Sequence, residues 1–186
     1  MSPLDQFRHF KRVFAGIDTD SIKKELLINE EFWHADTSRQ DKIKVQRDTQ
    51  TIFIRSVDKR FSNGRQSLDV HESRETKYHS EFPSTSGIIA ELTKKIGGEL
   101  GRLLLVRLRP SGRVLPHVDH GEYYAIRERF HLVVASRGGS RMAAGDEISV
   151  WQEGEVWWFN NKIIHSAENR SDEYRVHVIF DLLTEI

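Results

Sequence analysis

The sequence predicts a mainly β protein with N-terminal helices and a two-sheet jelly-roll core. Three observations carry this reading. From Leu103 onward, short apolar runs alternate with turn signals at a spacing of roughly 8–12 residues. No helical periodicity interrupts those runs before Leu182. The two clear helical patterns both fall in the first hundred residues.

Taken in order, Asp20 is placed to cap a helix in which Ile22, Leu26 and Leu27 fall at helical spacing. Thr51-Ile52-Phe53-Ile54 is β-branched and aromatic, which predicts a strand. The stretch 56–86 is charged and polar, with a turn at Asn63-Gly64. So long a stretch without apolar periodicity predicts a lid, a binding loop or disorder. Ser84-Thr85-Ser86 then precedes Ile88, Ile89, Leu92 and Ile96 at three- and four-residue steps, and Gly97-Gly98 ends that helix.

Strands follow near 103–109, 113–117, 128–135, 140–143, 147–151, 155–159, 162–167 and 173–182. Pro110-Ser111-Gly112, Gly138-Gly139, Gly145-Asp146 and Glu153-Gly154 supply turns. Eight short strands without intervening helices predict a double-stranded β-helix of cupin-like architecture. The expected organisation is a single domain over 1–186, with a mixed N-terminal region (1–100) and a catalytic core over 103–182.

Composition narrows the function. The 186 residues carry 28 Lys plus Arg and 28 Asp plus Glu, a formal net charge of zero. Neither nucleic acid nor an anionic membrane is therefore an expected partner. There is no Cys, so any metal must be held by nitrogen and oxygen ligands. The first residues, MSPLDQFRHFKRVF, lack the apolar segment of an export signal, and the longest apolar runs are of strand length. A cytoplasmic location is expected.

Residues two apart in a strand share a face. In 128–135 this groups Arg129, His131 and Val133 against Phe130, Leu132 and Val134; in 173–182 it groups Arg175, His177, Ile179 and Asp181 against Val176, Val178 and Phe180. Each strand thus carries an Arg-x-His pair on one face, either solvated or lining a cavity. His117-Val118-Asp119 follows a strand, and His165 lies on another. Two imidazoles and one carboxylate are the facial triad of non-haem Fe(II) oxygenases, which leaves the opposite face of the ion open for a cosubstrate and dioxygen. His120 in place of Asp119 would give a His-rich cupin site instead. Arg175, ten residues beyond His165, occupies the place of the basic residue that holds the distal carboxylate of 2-oxoglutarate in double-stranded β-helix oxygenases. A guanidinium fork suits that carboxylate through two parallel charge-assisted hydrogen bonds.

The runs Arg109-Pro110-Ser111-Gly112-Arg113-Val114-Leu115-Pro116-His117, Arg127-Glu128-Arg129-Phe130-His131 and Trp151-Gln152-Glu153-Gly154-Glu155-Val156-Trp157-Trp158, followed by His165 and Tyr174-Arg175-Val176, resemble the aspartyl/asparaginyl β-hydroxylase family. The resemblance implies an Fe(II)- and 2-oxoglutarate-dependent dioxygenase that consumes O2. It carries iron ligation onto His117 and His165, and cosubstrate contacts onto Arg129, His131 and Arg175. The animal protein that names the family lacks a carboxylate ligand, whereas Asp119 stands here, as in bacterial small-molecule members such as the proline hydroxylase branch. The expected substrate is an amino-acid-type side chain, in a small molecule or a peptide. A non-catalytic cupin-like binding module and an oxygen-independent cupin isomerase or lyase are the competing classes.

Among the remaining candidates, His177 is expected to hydrogen-bond a neighbour. Arg107, Arg109 and Arg113 are expected at solvated strand edges, Tyr123 and Tyr124 as substrate contacts or a loop cover, and Trp151, Trp157, Trp158 and Phe159 in the core, where Trp157 and Trp158 point to opposite faces so that one of them can border the substrate.

Overall fold

The computed structural model describes residues 8–37 and 43–184. Residues 1–7, part of the segment from which export was judged, lie outside them. The strands are β1 (Phe10–Phe14), β2 (Thr49–Val57), β3 (Ser73–Glu75), β4 (Glu99–Leu108), β5 (Arg113–His117), β6 (Glu128–Ala135), β7 (Ser140–Ala144), β8 (Glu147–Trp151), β9 (Val156–Phe159), β10 (His165–Glu168) and β11 (Arg175–Leu183). The helices are α1 (Asp20–Ile28), α2 (Pro83–Ile96) and the single turn α3 (Glu122–Ala125).

Two antiparallel sheets result, a major one in the order β1-β9-β6-β11-β4-β2-β3 and a minor one in the order β5-β10-β7-β8. The eight strands read from 103–182 supply the whole minor sheet and the central four strands of the major one. The fold is the jelly roll that the sequence predicts. The N-terminal region extends the major sheet at both edges, with β1 at one and β2 and β3 at the other.

Strand alternation then decides which face each residue meets. Phe130, Leu132 and Val134 of β6, with Val176, Val178, Phe180 and Leu182 of β11, share one core with Ile22 and Leu26 of α1 and Ile89 and Leu92 of α2. The helices therefore cover the outer face of the major sheet. On its inner face Val133, Met142, Trp151, Phe159 and Ala167 form a second, smaller core between the sheets. A nine-residue helix such as α1 is marginal in water by itself. Each aliphatic side chain it buries contributes about 1.5–3 kcal/mol, so packing rather than propensity holds it. Leu27, read as part of the apolar stripe, is 78% exposed and takes no part.

The segment 56–86 departs from the expectation of a lid or disorder. It contains 3-10 turns at Lys59–Phe61, Ser67–Asp69 and His79–Glu81 and the edge strand β3, and it buries Val70 and Phe82 completely. Its polar composition reflects an edge position in which backbone pairing with β2 replaces apolar burial. Arg107 is likewise not a solvated edge. It is buried between the rings of Trp33 and Tyr174 and bonds Gln50 and Glu30, whereas Arg109 and Arg113 are exposed. Among the described residues, no helix is long and apolar enough to cross a membrane.

Helix α2 starts at Pro83, one residue before the expected cap, and its own N-cap side chain (Phe82) offers no acceptor. The cap comes from α1. Glu25 Oε2 accepts from Thr85 N (3.0 Å) and Thr85 Oγ1 (2.7 Å), and Oε1 accepts from Ser84 N. Replacing Glu25 by Ala should cost about 1–2 kcal/mol, the usual value of a lost cap. Urea unfolding of the two proteins will measure it, and an unchanged midpoint would contradict this role.

Candidate metal centre

Strands β5 and β10 pair with His117 directly opposite His165. Cross-strand partners lie close enough for their side chains to touch, and these two rings sit 4.3 Å apart between centroids. Asp119 enters from the segment just after β5, held by its own N–H donating to Asn161 O (3.1 Å). One nitrogen or oxygen of each of His117, Asp119 and His165 lies within 4.8 Å of the others. The alternative ligand His120 is exposed and stands outside this group, its Nδ1 3.3 Å from Val118 O.

Local hydrogen bonds already orient the donors. His117 Nδ1 lies 2.8 Å from Leu115 O, and His165 Nδ1 lies 2.9 Å from Ile163 O. A carbonyl can only accept, so each Nδ1 carries the proton and each Nε2 presents its lone pair. This is the outer-shell contact that fixes the tautomer of a ligating imidazole. On Asp119, Oδ2 accepts from Arg129 Nη1 (2.8 Å) and Asn161 Nδ2 (3.1 Å), while Oδ1 faces His117 Nε2 at 3.8 Å. One carboxylate oxygen is thus committed to the protein and the other is free for a cation.

Charge states suit the same purpose. Burial pushes His165 down to about 4, so its ring is neutral at ordinary pH. Burial opposes the charge on Asp119. The Arg129 guanidinium, the two nearby imidazoles and Asn161 outweigh it and hold the carboxyl below its ordinary value. Two imidazole nitrogens and one carboxylate form a donor set for a divalent ion that prefers nitrogen and oxygen ligands.

Beside the triad lies a cavity of about 50 Å³ whose walls include Arg129, His131, Arg175, Gln46 and both ligand histidines. The two arginines there differ. Arg129 forks onto Asp181 through Nε (2.8 Å) and Nη2 (3.0 Å), besides its bond to Asp119. Arg175 is 4% exposed and, among the described residues, has no carboxylate partner. Its Nη1 meets only Ser140 Oγ (3.0 Å) and Met142 Sδ (3.6 Å), and its Nε is buried without a partner. Burial alone pushes its pKa down to about 10.

Several residues of the site carried no signal in the sequence. Asp181 shares a face with Arg175 by alternation, but nothing marked it as the partner of Arg129. Asn161 lies in a turn. Gln46, from the 3-10 turn Lys44–Gln46, places Nε2 3.4 Å from His117 Nε2. Tyr123 is fully buried and its hydroxyl accepts from Arg102 N (2.7 Å), so it is not a substrate contact. The Tyr124 hydroxyl accepts from Arg102 (3.3 Å) and Arg129 (3.1 Å).

If Asp181 holds Arg129 against Asp119, then Asp181→Asn keeps a hydrogen bond but loses the charge that positions the guanidinium. Affinity for Co(II), measured by anaerobic titration calorimetry, should fall roughly 10–100-fold, as for other outer-shell changes. Unaltered affinity in a folded variant would contradict the arrangement.

A family model for aspartyl/asparaginyl beta-hydroxylase matches residues 20–185. The chain is 30% identical over 77 residues to the L-proline cis-4-hydroxylase of Rhizobium meliloti (strain 1021), a match spanning 41% of this chain and 28% of that protein. Among solved structures, the viral collagen prolyl hydroxylase of Paramecium Bursaria Chlorella virus-1 superposes with a TM-score of 0.54 at 9% identity, over 96% of this chain and 98% of that one. A 2OG-Fe(II) oxygenase family oxidoreductase from Burkholderia pseudomallei gives a TM-score of 0.52 at 13% identity, over 90% and 92%. At such identities these structures speak to the fold. The family match takes in the strands of His117, His165 and Arg175 and the chain between them, and the chain belongs to the aspartyl/asparaginyl beta-hydroxylase family.

Proposed function

We propose that the protein is an Fe(II)- and 2-oxoglutarate-dependent dioxygenase that hydroxylates an unactivated C–H of an amino-acid-type substrate. The observation that carries this reading is Arg175: a buried guanidinium without a counter-ion, on the wall of a cavity beside a His-Asp-His cluster. Burying an unpaired charge costs several kcal/mol, so a fold that keeps one is built for an anion that arrives. A binding module or an isomerase for a neutral sugar has no use for it; one for a small acid would, and succinate formation separates that alternative from the oxygenase.

His117, Asp119 and His165 would hold the ferrous ion. Bound there, iron supplies the redox chemistry by which dioxygen and 2-oxoglutarate give succinate, CO2 and a hydroxylated product. The protein supplies position and a shielded site. The Leu115 and Ile163 carbonyls keep both Nε2 lone pairs on the ligand side. Arg129, bonded to Asp181 and Asp119, would hold the carboxylate ligand, and from the cavity wall it would also reach the cosubstrate, as the resemblance implies. Arg175, with the Ser140 hydroxyl beside it, would grip the distal carboxylate of 2-oxoglutarate, and His131 would contact the cosubstrate nearer the triad. Val106, Val114, Phe159 and Ile179 line the cavity and limit the entry of water. The proline hydroxylase relative supports a free amino acid or a peptide residue of that type as substrate, and the site's enclosed walls favour a small molecule or peptide over nucleic acid.

The first test mixes the protein with Fe(II), ascorbate and 2-oxoglutarate and follows succinate, then screens amino acids and peptides by mass for the gain of one oxygen. Asp119→Ala and His165→Ala should abolish succinate formation, and full turnover in either refutes the reading. Arg175→Met should raise KM for 2-oxoglutarate by ~10–150-fold, since a hydrogen bond to a charged group is worth about 1.5–3 kcal/mol. The same change should raise Tm in the absence of 2-oxoglutarate. The depressed Arg175 pKa means that its charged form disfavours the folded state at neutral pH, and Met removes that penalty. A lower Tm for the free variant would contradict the account.

A further inference from the structure

One buried polar pair on the inner face of the major sheet is only half used by the reading above, which gives a role to His131 and none to His177. His131 on β6 and His177 on β11 are diagonal neighbours, and their Nδ1 atoms lie 3.0 Å apart. Both rings are buried, at 5% and 0% exposure. Trp151 stacks on His177 at 6.0 Å and meets His131 edge-on at 5.5 Å, while Phe159 closes on His131 at 5.2 Å. Both Nε2 atoms are buried without a hydrogen-bond partner. His131 lines the cavity with Arg175.

Burial, reinforced by the nearby Arg175, holds both imidazoles neutral. Two neutral rings own two N–H protons between them. One proton must lie between the Nδ1 atoms, because two lone pairs repel at that distance and two N–H groups collide. The other sits on Nε2 of whichever ring accepts. The pair therefore has two states. In one, His131 offers the cavity a lone pair; in the other, it offers an N–H. Passing from the first to the second, the shared proton crosses from His131 Nδ1 to His177 Nδ1. The Nε2 proton of His177 is released, and His131 Nε2 takes one up from solvent.

We infer that His177 is a positioning residue that sets the tautomer of His131, so that a carboxylate oxygen of 2-oxoglutarate meets an N–H donor from a neutral imidazole. This rests on the assignment of 2-oxoglutarate to the cavity. The device provides a donor without adding a third positive charge next to Arg129 and Arg175. It also discriminates, since a group that can only donate finds no acceptor on His131 once the pair is set.

The test is nitrogen-15 NMR of the imidazoles in the diamagnetic Zn(II)-loaded full chain, without and with 2-oxoglutarate under nitrogen, with ring signals assigned through His131→Asn and His177→Asn. With cosubstrate bound, His131 should be protonated at Nε2 and bare at Nδ1, and His177 the reverse. In steady state, His177→Leu should raise KM for 2-oxoglutarate about 5–10-fold, the worth of one hydrogen bond, with a much smaller change in kcat. His177→Asn, whose amide can donate where Nδ1–H did, should recover most of that loss. A bound state in which His131 Nε2 stays bare overturns the inference, as does equal damage from Leu and Asn. If calorimetry shows no binding of 2-oxoglutarate to the Zn(II)-loaded wild type, the cavity assignment itself falls, and this inference with it.

Discussion

The pairing of His117 with His165 across β5 and β10 is the constraint on which the site depends. In a sheet, a slip of one residue turns every side chain to the other face. Such a slip here would send one imidazole to solvent and leave the other beside Asp119 alone. The register is protected on the far side, where β10 pairs residue for residue with β7 from His165–Ala144 to Glu168–Arg141. An irregularity between His165 and Ala167 in the β5 pairing lies right at the ligand. Bulges and irregular pairing are common next to active sites, where they re-aim a side chain.

Two guanidiniums, Arg129 and Arg175, stand on neighbouring strands of the same inner face and meet opposite fates. Arg129 is neutralised by Asp181 and turned onto Asp119, and its burial is compensated. Arg175 has a hydroxyl and a thioether for company. The contrast separates structure from function more sharply than exposure does, since both residues are equally hidden. A saturated cation organises its neighbours. An unsaturated one attracts whatever anion fits the cavity, at a cost to the free protein that the outer core offsets.

Most strands of the jelly roll were legible because apolar runs or apolar alternation break at turn residues such as Pro110, Gly138, Gly145 and Gly154, and their alternation correctly sorted Phe130, Leu132 and Val134 from Arg129, His131 and Val133. The convergence of His117, Asp119 and His165 was legible as a spacing. The segment 56–86 was misread because an edge strand held by backbone pairing needs few apolar residues. Arg107 was misread because its place between Trp33 and Tyr174 joins three distant parts of the chain. Nothing in the local sequence marked Glu25, which sits on one helix and caps another.

Within the jelly roll, local signals were enough to give the strands and the face most side chains take, because alternation and turn chemistry act within a few residues of their cause; β1 and β3, at the edges of the major sheet, gave no such signal. Only the tertiary structure decided which polar groups meet. Asp181 on Arg129, Asn161 on Asp119 and His177 on His131 are contacts between segments whose separation in the chain has no bearing on their separation in space. The same holds for Arg175, whose lack of a partner becomes visible only when every residue around it has been placed.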